Sequence, residues 1–259
     1  MILAQTSYVI VFVLCRVSVH TLRLSDIEGI GEEMSDMKTV DLTMDRRDTI
    51  LNQIRGYVQE KCAGDVTGHD WHHVRRVAAL ARQLAIAEGA DAFICEVAAL
   101  VHDLVDDKLV SDVAAAMRET LMYLHELGIP NEATRTVANI ITTISFKGGQ
   151  QSPLETKEAM VVQDADRLDA IGAIGIARTF AYGGAKGQSI YNPDIPVRDT
   201  MTAVEYRTGP STSINHFYEK LLKLKSLMNT ETAKRLAEAR HAFLVTYLDQ
   251  FMREWNAEV

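Results

Sequence analysis

The residues best placed to do chemistry in this chain are His102 and Asp103, adjacent in the apolar segment V-H-D-L-V from Val101 to Val105. An imidazole and a carboxylate buried side by side are costly unless something compensates both. A divalent cation does so, and two other segments can complete a ligand set around it. Upstream lies H-x-x-R-V (His73 to Val77), and downstream lies D-A-D-R-L-D (Asp164 to Asp169). Asp166 and Asp169 stand one turn apart on one side of a helix, and Asp164 falls elsewhere. Either of that pair can serve as the last ligand. Mixed nitrogen and oxygen ligands suit a divalent ion such as Mn, Mg, Fe, Co, Ni or Zn without choosing among them. A cation held this way can make hydroxide from water near neutral pH, so the expected chemistry is metal-dependent hydrolysis.

These residues must be positioned by helices, because the apolar pattern is helical almost throughout from Asp48 onward. Ile50, Ile54, Tyr57 and Val58 form one stripe. Val74, Val77, Leu80, Ala81 and Leu84 form a second, ended by Gly89. Phe93, Val97, Leu100, Val101 and Leu104 form a third, with Asp91 as its expected N-cap. Ala114 to Leu127 follows, closed by Gly128 and Pro130. The pattern then predicts helices over Glu132–Ile144, Lys157–Phe180, Ser213–Met228 and Glu231–Trp255. The fold class expected is all-α. His73 shares the inward face of Val77, Leu80 and Leu84, whereas His69 and His72 fall on other faces. His102 and Asp103 project about 100° apart on a helix, which suits two neighbouring positions around one metal. Residues 182 to 212 are rich in glycine and proline and read either as a lid over the site or as a plain surface excursion.

Composition bounds the reading further. The chain has 259 residues, of which 47% are hydrophobic and 24% charged, as in an ordinary soluble protein. A net charge of −8 argues against a nucleic-acid partner, which needs a basic face. It is compatible with a small phosphorylated substrate, since a bound cation reverses the local sign. Cys15, Cys62 and Cys95 form no disulfide pattern, and a reducing cytoplasm is the default location. Residues 1–43 read as a non-domain extension, expected to be disordered, ahead of a domain spanning 44–259. The apolar run from Tyr8 to Val19 is too short to span a bilayer as a helix and lacks the flanks of a secretory signal. No membrane role is expected of it, and Met44 is a second candidate start.

Taken in order, H-x-x-R-V, H-D and A-D-R-L resemble the HD-domain metal-dependent phosphohydrolase superfamily, from about Thr67 to Phe180. The resemblance assigns His73 to the first histidine, His102 and Asp103 to the doublet, and Asp166 to the last aspartate. More narrowly, G-H-D-W-x-H-x-x-R-V, I-S-F-K-G, Q-D-A-D-R-L-D-A-I-G and I-N-H-F-Y-E-K-L-L are similar to the bacterial YedJ/YpgQ-type HD hydrolases, over about Arg47 to Glu254. This implies a helical bundle with the metal site at its centre and activity on a nucleotide. The expected reaction is pyrophosphohydrolysis or phosphatase action on a (deoxy)nucleoside triphosphate. A homodimer is a compatible assembly.

In relatives that hydrolyse guanosine tetraphosphate, a Glu-Asp pair assigned to catalysis follows the doublet. Here Asp106 and Asp107 stand there, one methylene shorter at the first position. They are the candidate catalytic base, the alternative being a solvated helix end. Lys108 and Lys147 are the candidate phosphate-binding residues. Arg76 and Arg167 flank ligands and read as ion-pair partners. Two other readings compete: hydrolysis of (p)ppGpp on the same fold, and a non-catalytic HD sensor or scaffold, which predicts a broken ligand set.

Overall fold

Short oxygen-bearing side chains set most of the helix starts in this computed structural model, which describes residues 42–65, 68–106, 110–144, 154–199, 201–202, 205 and 209–259. Helix α1 (Met44–Lys61) starts at Thr43, α2 (Trp71–Glu88) at Asp70 and α3 (Ala92–Val101) at Asp91. Asp112 caps α4 (Val113–Glu126), while α5 (Asn131–Thr143) follows Pro130. Thr156 caps α6 (Lys157–Asp169), which is followed by α7 (Gly172–Ala185). Thr212 caps α8 (Ser213–His216) and Thr230 caps α9 (Glu231–Trp255). Each cap accepts a hydrogen bond from an amide that the helix itself leaves without a partner. Gly89 ends α2 in the left-handed region, at φ 69°. Among the described residues there is no strand, so the architecture is all-α as expected.

Helix α3 lies at the centre. Every residue from Phe93 to Val101 is buried, and the helix packs against α1, α2, α5 and α6. A helix that is apolar on all sides belongs in a core. Its one charged residue, Glu96, is paired with Arg55 from α1 and approached by Arg82 from α2. Helix α9 closes the other side of the bundle over α6, α7 and α2. The fully buried Phe217, Leu168, Ile171 and Leu244 mark that second part of the core.

Three expectations need correction. The pattern over Lys157–Phe180 predicts one helix, but the chain breaks at Ala170 and Ile171 into α6 and α7. Gly172 has φ +77°, and a Cβ there would press on the Arg240 side chain at 3.1 Å. A Cβ on Gly175 would collide with the Ala170 carbonyl. Only glycine allows so tight a reversal.

Second, Gly183 and Gly184 belong to α7, and a Cβ on Gly183 would collide with the Ser213 hydroxyl, so α8 can approach closely. The coil that follows is fastened to the helices after it. Carbonyls of Ser189 and Ile190 accept from Ser213 and Ile214 at 3.0 Å, and Asn215 donates to the Ile195 carbonyl. Arg198 grips the buried Glu219 carboxylate through two nitrogens at 2.7 and 2.8 Å. Third, the helix expected over Ser213–Met228 is not regular. It passes from α8 through a π segment (Phe217–Leu221) and a short α stretch (Leu222–Leu224) to a 3-10 turn (Lys225–Leu227).

Candidate metal centre

His73 owes its position to the start of α2. Asp70 caps the helix and accepts from the His73 amide at 2.9 Å, which fixes the backbone one turn in. The side chain then points inward from the face shared with Val77 and Leu84, and His73 is fully buried. His72 is exposed, and His69 precedes the helix with its ring edge-on to His73 at 5.8 Å.

His102 and Asp103 lie where α3 tightens into a 3-10 turn, His102–Val105. The doublet is therefore splayed by about 120° rather than the 100° of an α-helix, because a 3-10 turn holds three residues. Both remain buried. Asp166 projects from α6, with its side chain 40% exposed, and so faces the open side of the cluster.

The four side chains expected as ligands converge. His73 Nε2 lies 3.3 Å from Asp103 Oδ2 and 3.6 Å from Asp166 Oδ1. His102 Nε2 lies 3.1 Å from Asp103 Oδ1 and 3.9 Å from Asp166 Oδ1. His73, His102 and Asp103 each present a ligand atom within 4.8 Å of the others. The opposite ring nitrogens are occupied. His73 Nδ1 is 2.7 Å from Asp169 Oδ2, and His102 Nδ1 is 2.7 Å from the Ala99 carbonyl. An ionised carboxylate and a carbonyl only accept, so both histidines carry a proton on Nδ1, which leaves Nε2 as the nitrogen that can face a cation.

His73 Nε2, His102 Nε2 and Asp103 Oδ2 are buried and make no hydrogen bond. Buried polar atoms without partners are rare and ask for an explanation. Two inward lone pairs beside two carboxylates are a donor set that a divalent cation satisfies and a proton satisfies poorly.

The electrostatics agree. Burial would lower the His102 imidazole, but the adjacent Asp103 carboxylate, with Asp166 beyond it, outweighs burial and holds the group at about 9. Burial likewise opposes the charged form of His73, and Asp103 and Asp169 still push its pKa upward. Asp103 is held well below the usual carboxylate range against its own desolvation, by the charge of His102 and by both imidazoles. Asp166 is also lowered, by His102 and His73 acting against burial. Such a site favours positive charge at its centre, and a cation takes the place of protons there.

The remaining expected residues separate. Asp106 closes the 3-10 turn, its amide donating to the Asp103 carbonyl at 3.3 Å. Asp107, Lys108 and Lys147 lie outside the described residues. Asp169 sits on the far nitrogen of His73, outside the cluster. Asp164 points away altogether, accepting from Asn229 and Thr230 at the start of α9. Arg76 is an ion-pair partner as read, bound to Asp169 at 2.7 Å. Arg167 is buried and donates to the Leu227 carbonyl. Sequence reasoning missed Arg178, which donates to Asp169 at 3.1 Å and to the Gly68 carbonyl at 2.9 Å. A single arginine in the apolar, glycine-rich α7 was the available signal.

The HD domain family model matches residues 70–171, the segment that carries all four converging side chains. YpgQ of Bacillus subtilis, an uncharacterized protein, is 43% identical over 205 residues, which cover 78% of this chain and 92% of that one. The chain belongs to the HD-domain family. Solved structures agree with that membership. A Lactobacillus plantarum protein superposes with a TM-score of 0.74 at 44% identity, covering 81% of this chain and 98% of its own. An HD-superfamily hydrolase from Bacillus thuringiensis gives 0.64 at 44% identity, covering 82% and 99%. Bacillus subtilis YpgQ in complex with ADP gives 0.64 at 42% identity, covering 79% and 97%. HD-superfamily hydrolases are metal-dependent phosphohydrolases, and this chain is one of them. Among the described residues no helix is long and apolar enough to cross a membrane.

Proposed function

We propose that this HD protein hydrolyses a nucleotide at a phosphoanhydride or phosphoester bond, with a (deoxy)nucleoside triphosphate as its substrate. The observation that carries the reading is the convergence of two buried imidazole nitrogens, each with its proton fixed on the far side, on Asp103 and the half-exposed Asp166. His73, His102, Asp103 and Asp166 would hold a divalent cation. When bound, that cation supplies Lewis acidity for a phosphoryl oxygen and for water.

The side chains around the site carry the rest of the chemistry. Asp166 lies on the exposed side, so substrate approaches past it. Asp106 caps the 3-10 turn that carries Asp103, and its amide donates to the Asp103 carbonyl at 3.3 Å, which keeps its backbone within one turn of the doublet. This supports Asp106, with Asp107 beside it, as the group that orients the attacking water and takes its proton. The water oxygen bonds to phosphorus, the bond to the departing phosphate or pyrophosphate breaks, and the proton passes to the carboxylate. Lys108 and Lys147 neutralise the remaining phosphate charge in this proposal.

Nucleotide chemistry draws support from YpgQ, whose structure was solved in complex with ADP. The shorter Asp at position 106, where (p)ppGpp hydrolases carry Glu, weighs against the alarmone as substrate. The complete converging set weighs against a purely non-catalytic module. The test is a panel of nucleoside and deoxynucleoside tri-, di- and tetraphosphates with Mn, Mg, Co and Ni, resolving pyrophosphate from orthophosphate. Pyrophosphate release from triphosphates is expected. Turnover of (p)ppGpp alone, or of no nucleotide with any metal, would overturn the proposal.

A further inference from the structure

The two histidines facing the centre are oriented by different means. His102 is held by the Ala99 carbonyl, part of the backbone of its own helix. His73 is held by a side chain from another helix, Asp169 of α6. A carboxylate can rotate and thus needs support of its own. Asp169 has it on both oxygens. Arg76 Nε donates to Oδ1 at 2.7 Å and its Nη2 to Oδ2 at 3.0 Å. Arg178 Nη1 donates to Oδ2 at 3.1 Å, and its Nε donates to the Gly68 carbonyl at 2.9 Å. One buried carboxylate therefore gathers donors from α2 and α7, and one of those donors also ties down the loop that leads into His73.

We propose that Asp169, clamped by Arg76 and Arg178, is the positioning residue that fixes the Nδ1–H form and the ring orientation of His73, so that the metal affinity of the site depends on the docking of α7 against α6. The geometry excludes the competing role of direct ligand. Asp169 meets the nitrogen of His73 that faces away from His102, Asp103 and Asp166. A partner on the far nitrogen of a ligand histidine also raises its basicity, and losing one costs roughly 10–100-fold in metal affinity. The break at Gly172 is what folds α7 back and brings Arg178 to this carboxylate. In an unbroken helix, Arg178 would lie nine residues further along the same axis.

The test uses the full chain and needs no substrate. Mn2+ and Co2+ dissociation constants are measured for the wild type, Asp169→Asn and Arg178→Gln. Nitrogen-15 spectra of the histidine side chains, followed to alkaline pH where both imidazoles are neutral, report which ring nitrogen holds the proton in the metal-free protein. Arg178→Gln is included because Asp169→Asn leaves two arginines without their partner and can fail to fold. With helicity retained, Asp169→Asn is expected to weaken the metal by roughly 10–100-fold and to mix the two forms of His73 while His102 stays Nδ1-protonated. Arg178→Gln is expected to move both readouts the same way by less. Affinity within about twofold of the wild type with an unchanged His73 signal, in either folded variant, would overturn the proposal. So would weakening in step with lost helicity in both variants. The inference rests on His73 being a ligand. If His73→Ala keeps its metal, that assignment fails, whereas metal retention in Asp169→Asn alone defeats only the positioning role.

Discussion

Two aspartates two residues apart in α6, the buried Asp164 and the half-exposed Asp166, project to different sides of the helix with opposite fates. On the Asp164 side, both carboxylate oxygens are satisfied. Asn229 donates through its amide and its side chain, and Thr230 through its amide and hydroxyl, at 2.8 to 3.1 Å. On the Asp166 side, the neighbouring His73, His102 and Asp103 keep ligand atoms buried without a hydrogen bond. The first cluster fixes the start of α9 against α6 and leaves nothing over. The second leaves ligand atoms for which the protein supplies no partner, a set that a divalent cation would satisfy. In this fold, burial of charge does not by itself distinguish scaffold from site. What distinguishes them is whether the donors and acceptors balance.

The comparison breaks most sharply at the candidate metal cluster. His102→Ala and Asp103→Ala are expected to lose metal and turnover together, as read by metal analysis of the purified protein, while remaining folded. Full metal retention in both would erase the contrast. Next in size is the acidic pair. Asp106→Asn or Asp107→Asn is expected to cut turnover by ~10²–10⁴-fold with metal still bound, since a general base contributes about that much without ligating the ion. Wild-type rates in the double variant would remove both residues from the chemistry.

The satisfied Asp164 cluster responds in stability instead. Asp164→Ala strands the Asn229 and Thr230 donors and is expected to cost about 1–3 kcal/mol by urea denaturation, with metal affinity unchanged. Loss of metal in this variant, while it stays folded, would mean that the two clusters are not independent. The smallest effect expected is at the first helix. Thr43 caps α1 and Leu42 packs on the core, so a chain starting at Met44 should bind metal normally but unfold about 1 kcal/mol more easily than one starting at Leu42.

Much of this was readable from the chain. Asp91 announced the start of α3 and Gly89 the end of α2, because capping chemistry is local. The convergence of His73 with the His102–Asp103 doublet followed from apolar faces and ordered motifs. Two features were not readable. The stretch from Ala170 to Ala177 keeps an apolar pattern across the break and contains no proline, so Gly172 and Gly175 are its only local marks, and isolated glycines are also tolerated inside helices. The choice between Asp166 and Asp169 depends on which ring nitrogen of a distant histidine each carboxylate meets. Spacing along one helix placed both on the same side. Only the packing of α2 against α6 separates them.

The coil after α7 has a practical consequence for anyone engineering this protein. Surface stretches rich in glycine and proline are where tags and inserted domains are usually tolerated. Here the carbonyls of Ser189 and Ile190 complete the amino end of α8, and Arg198 locks onto Glu219 in the π segment. A peptide inserted between Ser189 and Arg198 would expose the amides of Ser213 and Ile214 and loosen the helix that carries the fully buried Phe217. The stretch resembles a dispensable loop in composition, but insertion there should behave like a lesion in the core.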